Sequence, residues 1–416
     1  MKTFLRIVLP LFMLSAAQAQ RETDLKWQSL GIKVNFLSMG RVHSGTSDFP
    51  SKTDYTEWSN SIATTLNYNA RLGKGFQIDA QYVFAKPFLE MGNCDCDAQQ
   101  TLGNDEINML NKISLRYSHQ FQANHIEVKL GRIDLKSPYF PTYNIRQKDQ
   151  SYEALQISLK TRKNAEITLG HVHRFSMWRP NAPFKRASQF LNLDYEVPGM
   201  QFLNFKKQFS LAKDTIDAEI YEVYAHKTMN TVGVNLDWQL YHKDHTDITI
   251  ATRWVNQAFP SSDTAGSLQI FVNLIQLGAK VGLGPMVIGA GSFFVTPQVP
   301  DGRIVTPFEA NNLMVKEPLY EIDLGATTGS KSFFVDASIA LKSVKKQRIA
   351  HRLYSLYFRT YHLIPDGYTD EIDLIYSCTI SPHLSTALKL AYAQTTLSPD
   401  SRNGIFDGRL FFTYQW

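Results

Sequence analysis

Hydrophobic and polar residues alternate along most of the chain. From 58 to 72, the large apolar side chains lie at even positions and mainly small polar ones at odd positions. After Gly73-Lys74-Gly75 the alternation resumes from Phe76 to Phe84. Because successive side chains of a strand point to opposite faces, this pattern predicts two β-strands joined by a short turn. The same pattern recurs up to the last residue of the chain.

The alternation predicts about eighteen strands, with sixteen as the alternative count. Their predicted starts lie near 31, 58, 76, 107, 125, 151, 165, 216, 231, 247, 267, 285, 319, 331, 352, 371, 385 and 407. Short connections such as Lys163-Asn164 and Leu283-Gly284-Pro285 are predicted to be periplasmic turns, and long ones to lie outside the cell. The predicted long connections are 42–57, 88–106, 137–150, 177–215 and 298–317. With both termini on one side, the strands after 317 have the wrong parity, so one strand within 190–210 or 331–363 is misassigned.

Composition decides between a helical membrane protein and a barrel. Of the 416 residues, 44% are hydrophobic and 12% aromatic, yet the mean hydropathy is −0.24. No stretch after residue 19 approaches the roughly 20 apolar residues that a membrane helix needs. In hydrocarbon every backbone polar group must be paired internally, so a spanning protein without apolar helices must be a closed barrel. We therefore expect an all-β protein, with residues 20–416 forming one transmembrane antiparallel β-barrel.

The amino terminus has the features of a secretory signal peptide. Lys2 and Arg6 precede the apolar run 7–14, and Ala17-Gln18-Ala19 supplies a small-residue cleavage site. Residues 1–19 are therefore predicted to be a signal peptide that is removed on export. Cleavage removes two basic and no acidic residues, which lowers the formal net charge from +5 to +3. This bias is too small to indicate a nucleic-acid partner.

The carboxyl terminus is typical of the closing strand of an outer-membrane barrel. Leu410, Phe412, Tyr414 and Trp416 share one apolar face of a strand that stops at the chain end. The alternative is an edge strand of a soluble domain. Together with the signal peptide, the pattern favours a multi-pass protein of the bacterial outer membrane. The expected partners are outer-membrane lipid, and the barrel assembly machinery through the strand that ends at Trp416.

One stretch carries a resemblance to a known family. The strand Glu127-Val128-Lys129-Leu130-Gly131-Arg132, a proline-containing loop with Asn144-Ile145-Arg146, and the returning strand Leu155-Gln156-Ile157 resemble the OprD family of substrate-specific outer-membrane porins. The strand layout is similar over most of the mature chain. The resemblance implies that the loop at 137–150 folds into the lumen as a constriction. The run 138–143 is more aromatic than that family's pattern, so the resemblance does not identify the substrate of this chain.

The loop supplies the predicted constriction site. The candidate residues are Arg132, Tyr139, Tyr143, Arg146, Lys148 and Asp149. The charged side chains would lie at the narrowest point, and the tyrosines would form flat walls for a small organic solute. A bulge at Gly131 would return Arg132 to the lumen, and the alternative places Arg132 in the headgroup zone. The alternative for the whole loop is an ordinary solvated connection.

Basic residues on the polar strand faces form a second candidate feature. They are Lys112, Arg116, Lys129, Lys160 and Arg253. A basic residue on the lipid side costs about 2–4 kcal/mol near the midplane, which favours the lumen for these side chains. There they could guide an anionic solute, as the inward arginine rows of the OprD family imply. The alternative is that Asp79, Asp237 and Asp373 neutralise them.

Other chemistry is weakly indicated. Cys94 and Cys96 could form a strained disulfide, but no further ligand suggests a metal site. Ser176 near His171 and His173 is the only hint of a hydrolase. We predict a passive channel for small hydrophilic solutes, anionic or zwitterionic, with no cofactor and no catalytic residue. The alternatives are a phosphate-type anion porin, an outer-membrane lipid hydrolase, and a nonconducting structural barrel or receptor.

Overall fold

Antiparallel strands account for nearly all of the described chain. The computed structural model describes residues 27–45, 55–92, 106–135, 137–140, 147–176, 184–190, 196–241, 246–259, 270–296, 329–342, 350–363, 366–398 and 401–416. Its strands are β1 (Trp27–Gly45), β2 (Tyr55–Gly73), β3 (Phe76–Gly92), β4 (Ile107–Phe121), β5 (Asn124–Ile133), β6 (Ser151–Lys160), β7 (Ala165–Ser176), β8 (Met200–Leu211), β9 (Asp214–Ala225), β10 (Met229–Tyr241), β11 (Thr246–Phe259), β12 (Ile270–Leu283), β13 (Met286–Val295), β14 (Lys331–Lys342), β15 (Ala350–Leu363), β16 (Asp366–Thr379), β17 (Leu384–Ser398) and β18 (Ser401–Gln415). One short helix, α1 (Ala187–Phe190), lies between β7 and β8. Among the described residues, no helix is long and apolar enough to cross a membrane.

The strands form one closed barrel. Each strand pairs with its neighbour in sequence, and β1 pairs with β18 to complete the ring of eighteen. At this seam the backbone of Ile32 and that of Trp416 exchange two hydrogen bonds, of 2.9 and 2.8 Å. The predicted closing strand therefore lies where expected, and the count of sixteen is wrong. Closure leaves no unpaired strand edge in the ring.

Two predicted elements differ from the structure. The predicted connection 177–215 contains a full strand, β8, whose alternation the aromatic and lysine-rich run 202–207 obscured. The strand predicted near 319 falls outside the described residues, and β13 pairs directly with β14. Adding β8 and omitting the strand near 319 keeps the count at eighteen and brings the first and last described residues, Trp27 and Trp416, to the same end of the barrel. This resolves the parity conflict of the sequence analysis.

The two faces of the wall follow the sequence alternation. In β2 the apolar Trp58 and Ile62 are 46% and 44% exposed, while the intervening Ser59 and Ser61 are buried at 6% and 2%. The exposed apolar face is the outer surface of the barrel, and the small polar side chains face the interior. The face named inward below is that of Ser59 and Ser61 in β2 and of the corresponding positions in the other strands.

The two ends of the barrel differ in connection length. Most connections at the end where β1 begins and β18 ends are short, such as Gly73-Lys74-Gly75; we call this the turn end. The strand ends that are joined by the connections 93–106, 134–150, 177–199 and 296–330 lie at the opposite end, which we call the loop end. The first turn requires glycine, because a Cβ on Gly75, at φ +85°, would lie 2.2 Å from the carbonyl oxygen of Ser118.

Candidate functional site

The connection between β5 and β6 packs inside the barrel. We call its described residues, 134–135, 137–140 and 147–150, the inner segment. Tyr139 and Phe140 are 1% and 0% exposed. The ring of Phe140 packs edge-on against those of Tyr152 in β6 and Phe202 in β8, at 5.7 and 5.5 Å. The Tyr139 hydroxyl donates to the sulfur of Met229 in β10 at 3.4 Å.

The inner segment also reaches the other side of the lumen. The Gln147 amide donates to the hydroxyl of Ser61 in β2 at 2.9 Å and to the Ser61 carbonyl at 3.3 Å. Strands β2 and β10 are eight steps apart in the ring of eighteen, one short of opposite. The described residues of the inner segment therefore contact nearly opposite sides of the barrel interior.

On one side the segment is held by apolar packing. Tyr139 and Phe140 belong to a cluster of buried hydrophobic side chains that extends over the inward faces of β5 to β13. Burial raises the pKa of the Tyr139 hydroxyl well above its usual value, so it stays neutral. The sequence analysis placed this tyrosine along an open passage. In the structure its ring fills space between the segment and the wall, and presents almost no surface to a solute.

On the other side the segment is held by polar contacts to β4. The Lys112 ammonium lies 2.8 Å from the carboxylates of both Asp134 and Asp149, which belong to the two ends of the segment. Asn111 donates to the Asp149 carbonyl at 3.2 Å and accepts from Ser151 Oγ at 2.9 Å. A lysine that the sequence assigned to solute guidance thus contacts both ends of the inner segment.

A bulge in β4 makes these contacts possible. The β3–β4 pairing shifts register at Gln81 and Tyr82, which leaves Asn111 without a paired residue in β3. A bulge places two successive side chains on the same face of a strand. Asn111 and Lys112 therefore both reach inward, which the strict alternation of the sequence does not show.

Lys148 is buried rather than facing an open lumen. Its side chain is 0% exposed, and its ammonium donates to Ser176 Oγ at 2.9 Å and to the Asp149 carbonyl at 3.3 Å. Burial lowers the pKa of Lys148 to about 7, against the opposing effect of the Asp149 carboxylate. Ser176, a suggested hydrolase residue, contacts this lysine, while His173 Nδ1 lies 3.3 Å from the Pro198 carbonyl.

Arg132 lies on the outward face. The β4–β5 pairing runs without a register shift through Gly131, and Arg132 pairs with Ile113, which is 45% exposed on the outer surface. Its guanidinium lies 3.1 Å from the Glu153 carboxylate and 4.1 Å from the ring of Phe184. The expected bulge at Gly131 is therefore wrong for this pairing, and the geometry matches the alternative that places Arg132 at the outer rim.

The described contacts leave part of the predicted site untested. Tyr143 and Arg146 fall outside the described residues, as do Cys94, Cys96 and the predicted signal peptide 1–19. The part of the segment that would carry Arg146 therefore remains a prediction.

Most of the predicted inward basic residues have acidic partners. Arg116 lies between Asp79 and Glu127, at 3.5 and 3.6 Å, and Lys129 lies 3.0 Å from Glu127. This is the neutralised arrangement that the sequence analysis held as the alternative to anion guidance.

The two remaining basic residues differ from each other. Arg253 in β11 forms a salt bridge with Asp237 in β10 at 2.6 Å. Lys160, the last residue of β6, is exposed near the turn end and lines a recess with residues of β7 to β10. Of the predicted inward basic residues, it has the most accessible charge.

One buried charge cluster was missed by sequence reasoning. Asp407 in β18 accepts from Arg41 in β1 and from Arg409, each at 2.7 Å, and all three are at most 5% exposed. The alternation of the last strand places Asp407 and Arg409 inward. Arg41 and Asp407 are 366 residues apart, so only the pairing of β1 with β18 identifies Arg41 as a member of the cluster.

The closed 18-stranded antiparallel barrel is similar to the solved structures of several porins. The crystal structure of a BenF-like porin from Pseudomonas fluorescens Pf-5 is similar, with a TM-score of 0.69 and 12% identity over 94% of this chain and 99% of that chain. Acinetobacter baumannii OccAB3 has a TM-score of 0.67 and 12% identity, covering 93% and 99%. Pseudomonas aeruginosa OpdQ has a TM-score of 0.66 and 11% identity, covering 94% and 99%.

These neighbours are porins of the OprD/Occ type, so the resemblance read from residues 127–158 is confirmed at the level of the fold. At 11–13% identity the likeness concerns the fold alone. No family model matches the chain, and no curated protein matches it.

Proposed function

We propose that the protein is an outer-membrane porin for the passive diffusion of small hydrophilic solutes. The observation that carries this proposal is the inner segment, whose described residues contact both β2 and β10 inside a closed barrel. A pore of this type selects by the width of its narrowest part and by the polar groups around it. Asp134, at 47% side-chain exposure, is the most accessible of the charged groups around Lys112.

The proposal assigns a side of the membrane to each end of the barrel. The loop end lies outside the cell, the turn end faces the periplasm, and the exposed apolar face contacts lipid. Residues 1–19 direct export and are removed. The barrel assembly machinery recognises the strand ending at Trp416.

Charge pairing favours zwitterionic over simple anionic solutes. Lys112 and Lys129 each lie within about 3.0 Å of a carboxylate, and Arg253 is paired with Asp237. A lumen with alternating signs attracts a solute that carries both charges and gives little net preference to a bare anion. A phosphate-type anion porin would need inward lysines whose charge is not offset in this way.

Planar-bilayer recording of the refolded protein tests the proposal. We expect discrete conductance steps, and a reversal potential close to zero in a salt gradient because the lumen charges are paired. A folded, heat-modifiable barrel that gives no steps would contradict the channel function and favour a nonconducting barrel or receptor. A large anion preference would support the phosphate-type alternative.

Cysteine labelling tests the orientation. In a background with the three native cysteines replaced by serine, Gln99→Cys lies in the connection 93–106 at the loop end and Lys74→Cys at the turn end. An impermeant maleimide added to intact cells should label Gln99→Cys only. Both variants should be labelled in broken cells, which controls for reactivity. Labelling of Lys74→Cys alone in intact cells would reverse the assigned sides.

A further inference from the structure

A row of charged side chains crosses the outer face of three strands at the loop end. Arg132 in β5 pairs with Glu153 in β6, and Glu153 pairs with Arg174 in β7. The row lies two residues beyond Leu130 and Leu155, which are 56% and 38% exposed on the outer surface. Two residues of a strand span about 7 Å, so the row lies just past the edge of the exposed apolar face.

Positive charge is in excess in this row. Arg132 Nε lies 3.1 Å from Glu153 Oε1, and Arg174 Nη1 lies 3.9 Å from Oε2 of the same carboxylate. One carboxylate thus faces two guanidinium groups, and the row keeps one positive charge more than it has negative charges. The side chains of Arg132 and Arg174 are 32% and 41% exposed, so both guanidinium groups can be reached from outside the barrel wall.

The two guanidinium groups have donors to spare. Arg132 Nη1 donates to the Leu110 carbonyl at 2.8 Å, and the ring of Phe184 lies 4.1 Å from the central carbon of the guanidinium. Together with the contact to Glu153, these neighbours fix the direction of the Arg132 side chain. Among the described residues, Arg174 has no hydrogen-bond acceptor within reach. Because a guanidinium group has five N–H donors, the row can donate several hydrogen bonds to a further acceptor.

A second outward arginine at the loop end lacks this excess. Arg359 in β15 pairs with Phe333, which is 53% exposed on the outer surface. Its guanidinium donates to both carboxylate oxygens of Asp370 in β16, at 2.5 and 2.6 Å. One carboxylate thus occupies one guanidinium group in the two-point geometry that a phosphate would otherwise take. The two places share a face and an end of the barrel and differ in their balance of charge.

We propose that Arg132 and Arg174 bind a phosphate of a phosphorylated glycolipid headgroup in the outer leaflet. Two guanidinium groups match a phosphate in charge and in hydrogen-bond geometry. The neighbouring Leu130 and Leu155 contact the acyl chains of the same lipid. A free phosphate gains nothing from this apolar surface, so the position of the row at its edge favours a lipid. This inference rests on the proposed function, which assigns the loop end to the outside of the cell.

Lipid binding to the refolded full-length protein in detergent tests the proposal. The probes are bisphosphorylated lipid A and the same lipid with both phosphates removed, and native mass spectrometry measures the bound fraction. The dissociation constant of the phosphorylated lipid should be at least about fivefold lower. Equal dissociation constants would overturn the site. Inorganic phosphate in excess over the lipid should leave lipid A bound, and complete displacement would overturn the choice of a lipid over free phosphate.

Three variants locate the bound lipid. Arg174→Gln should raise the dissociation constant of bisphosphorylated lipid A at least about fivefold, because it removes one of the two guanidinium groups. Glu153→Gln should lower this constant, because the competing carboxylate is lost, and a damaged fold does not produce such a gain. Arg359→Gln makes the same change in net charge as Arg174→Gln and should bind lipid A as the wild type does. An equal loss in Arg359→Gln, or a loss in Glu153→Gln, would overturn the site.

Heat-modifiable mobility checks that each variant is folded. Binding is measured here without conduction. A protein that conducts but does not prefer the phosphorylated lipid overturns the lipid site alone, and one that shows the preference without conducting overturns the channel alone.

Discussion

The two sides of the inner segment are held by different kinds of contact. Toward β6 to β10, Tyr139 and Phe140 are locked into a buried apolar cluster. Toward β2 and β4, the segment is held by the Lys112 salt bridges and the hydrogen bond from Gln147 to Ser61. Apolar packing is non-directional and nearly independent of salt, whereas the ionic contacts have fixed geometry and weaken with screening. One side thus fixes the segment in place, and the other sets its orientation and the local charge.

Typical free energies indicate which of the two sides holds the segment more strongly. Replacing a buried phenylalanine by alanine costs about 3–5 kcal/mol in most cores. A neutral hydrogen bond contributes about 0.5–1.5 kcal/mol net, and hydrogen bonds to charged groups about 1.5–3 kcal/mol. We therefore expect the apolar side to decide whether the segment stays in the lumen. The polar side should decide which ions pass it.

The largest effect is expected from Phe140→Ala. Phe140 is fully buried between Tyr152 and Phe202. Truncation removes these ring contacts, which are the main attachment of the segment to β6 and β8, and leaves a cavity in their place. Single-channel conductance should rise at least about twofold, with more current noise, because a released segment no longer narrows the lumen. Phe88→Ala, at a phenylalanine that is 58% exposed on the wall, is the control and should leave conductance unchanged. Unchanged conductance in Phe140→Ala would mean that the segment does not set the pore width.

A smaller, selective effect is expected from Lys112→Gln. The substitution removes the positive charge between Asp134 and Asp149 and leaves two carboxylates at the segment. The reversal potential in a salt gradient should shift toward cation preference, and more so at low ionic strength, where screening is weak. Conductance should change less than in Phe140→Ala.

Asp149→Asn tests whether the two charges act as a pair. The two single shifts should be opposite in sign, because one variant removes a positive charge and the other a negative one. If the charges act as a pair, the shift of the Lys112→Gln, Asp149→Asn double variant should differ from the sum of the two single shifts. Lys74→Gln, at the turn end, is the charge-matched control for Lys112→Gln. An equal shift in that control would show that the effect is one of net charge alone.

The smallest effect concerns pH. Burial lowers the pKa of Lys148 from 10.5 to about 7, beside Asp149 and with Lys112 also nearby. Between these two pKa values, Lys148 binds a proton more readily when the segment has left its packed position than when it is packed. Raising the pH from about 7 to 10 should therefore favour the packed state. Open-channel noise of the wild type should therefore fall from pH 6 to pH 9. In Lys148→Met this dependence should be lost; its persistence would assign the titration to another group.

Local alternation predicted the wall but not the interior. The alternation of apolar and polar residues was sufficient to place Trp58 outward and Ser61 inward, because successive side chains of a strand point to opposite faces. It failed at β8, where Lys206 and Lys207 interrupt the pattern and hide a strand inside a predicted loop. It also missed the β4 bulge, since one extra residue at Asn111 changes the face of all that precede it.

The candidate site was predictable in location but not in detail. The proline-containing loop and its flanking strands identified the segment that enters the lumen. Whether Tyr139 and Lys148 line a passage or fill the interior depends on Met229 and Ser176, which are 90 and 28 residues away. Contacts of this kind arise from barrel closure, and a single sequence carries no local sign of them.

The seam between β1 and β18 has a consequence for how the chain folds. Its pairs, such as Lys33 with Gln415, join residues at opposite ends of the chain, so the ring cannot close before the last residues are made. Contacts between residues so far apart in sequence form slowly, because the chain loses the entropy of closing the longest loop before strand pairing stabilises the seam. Until then both terminal strands present open edges that can pair with other chains. The last strand therefore limits how long the unfinished barrel is exposed to aggregation.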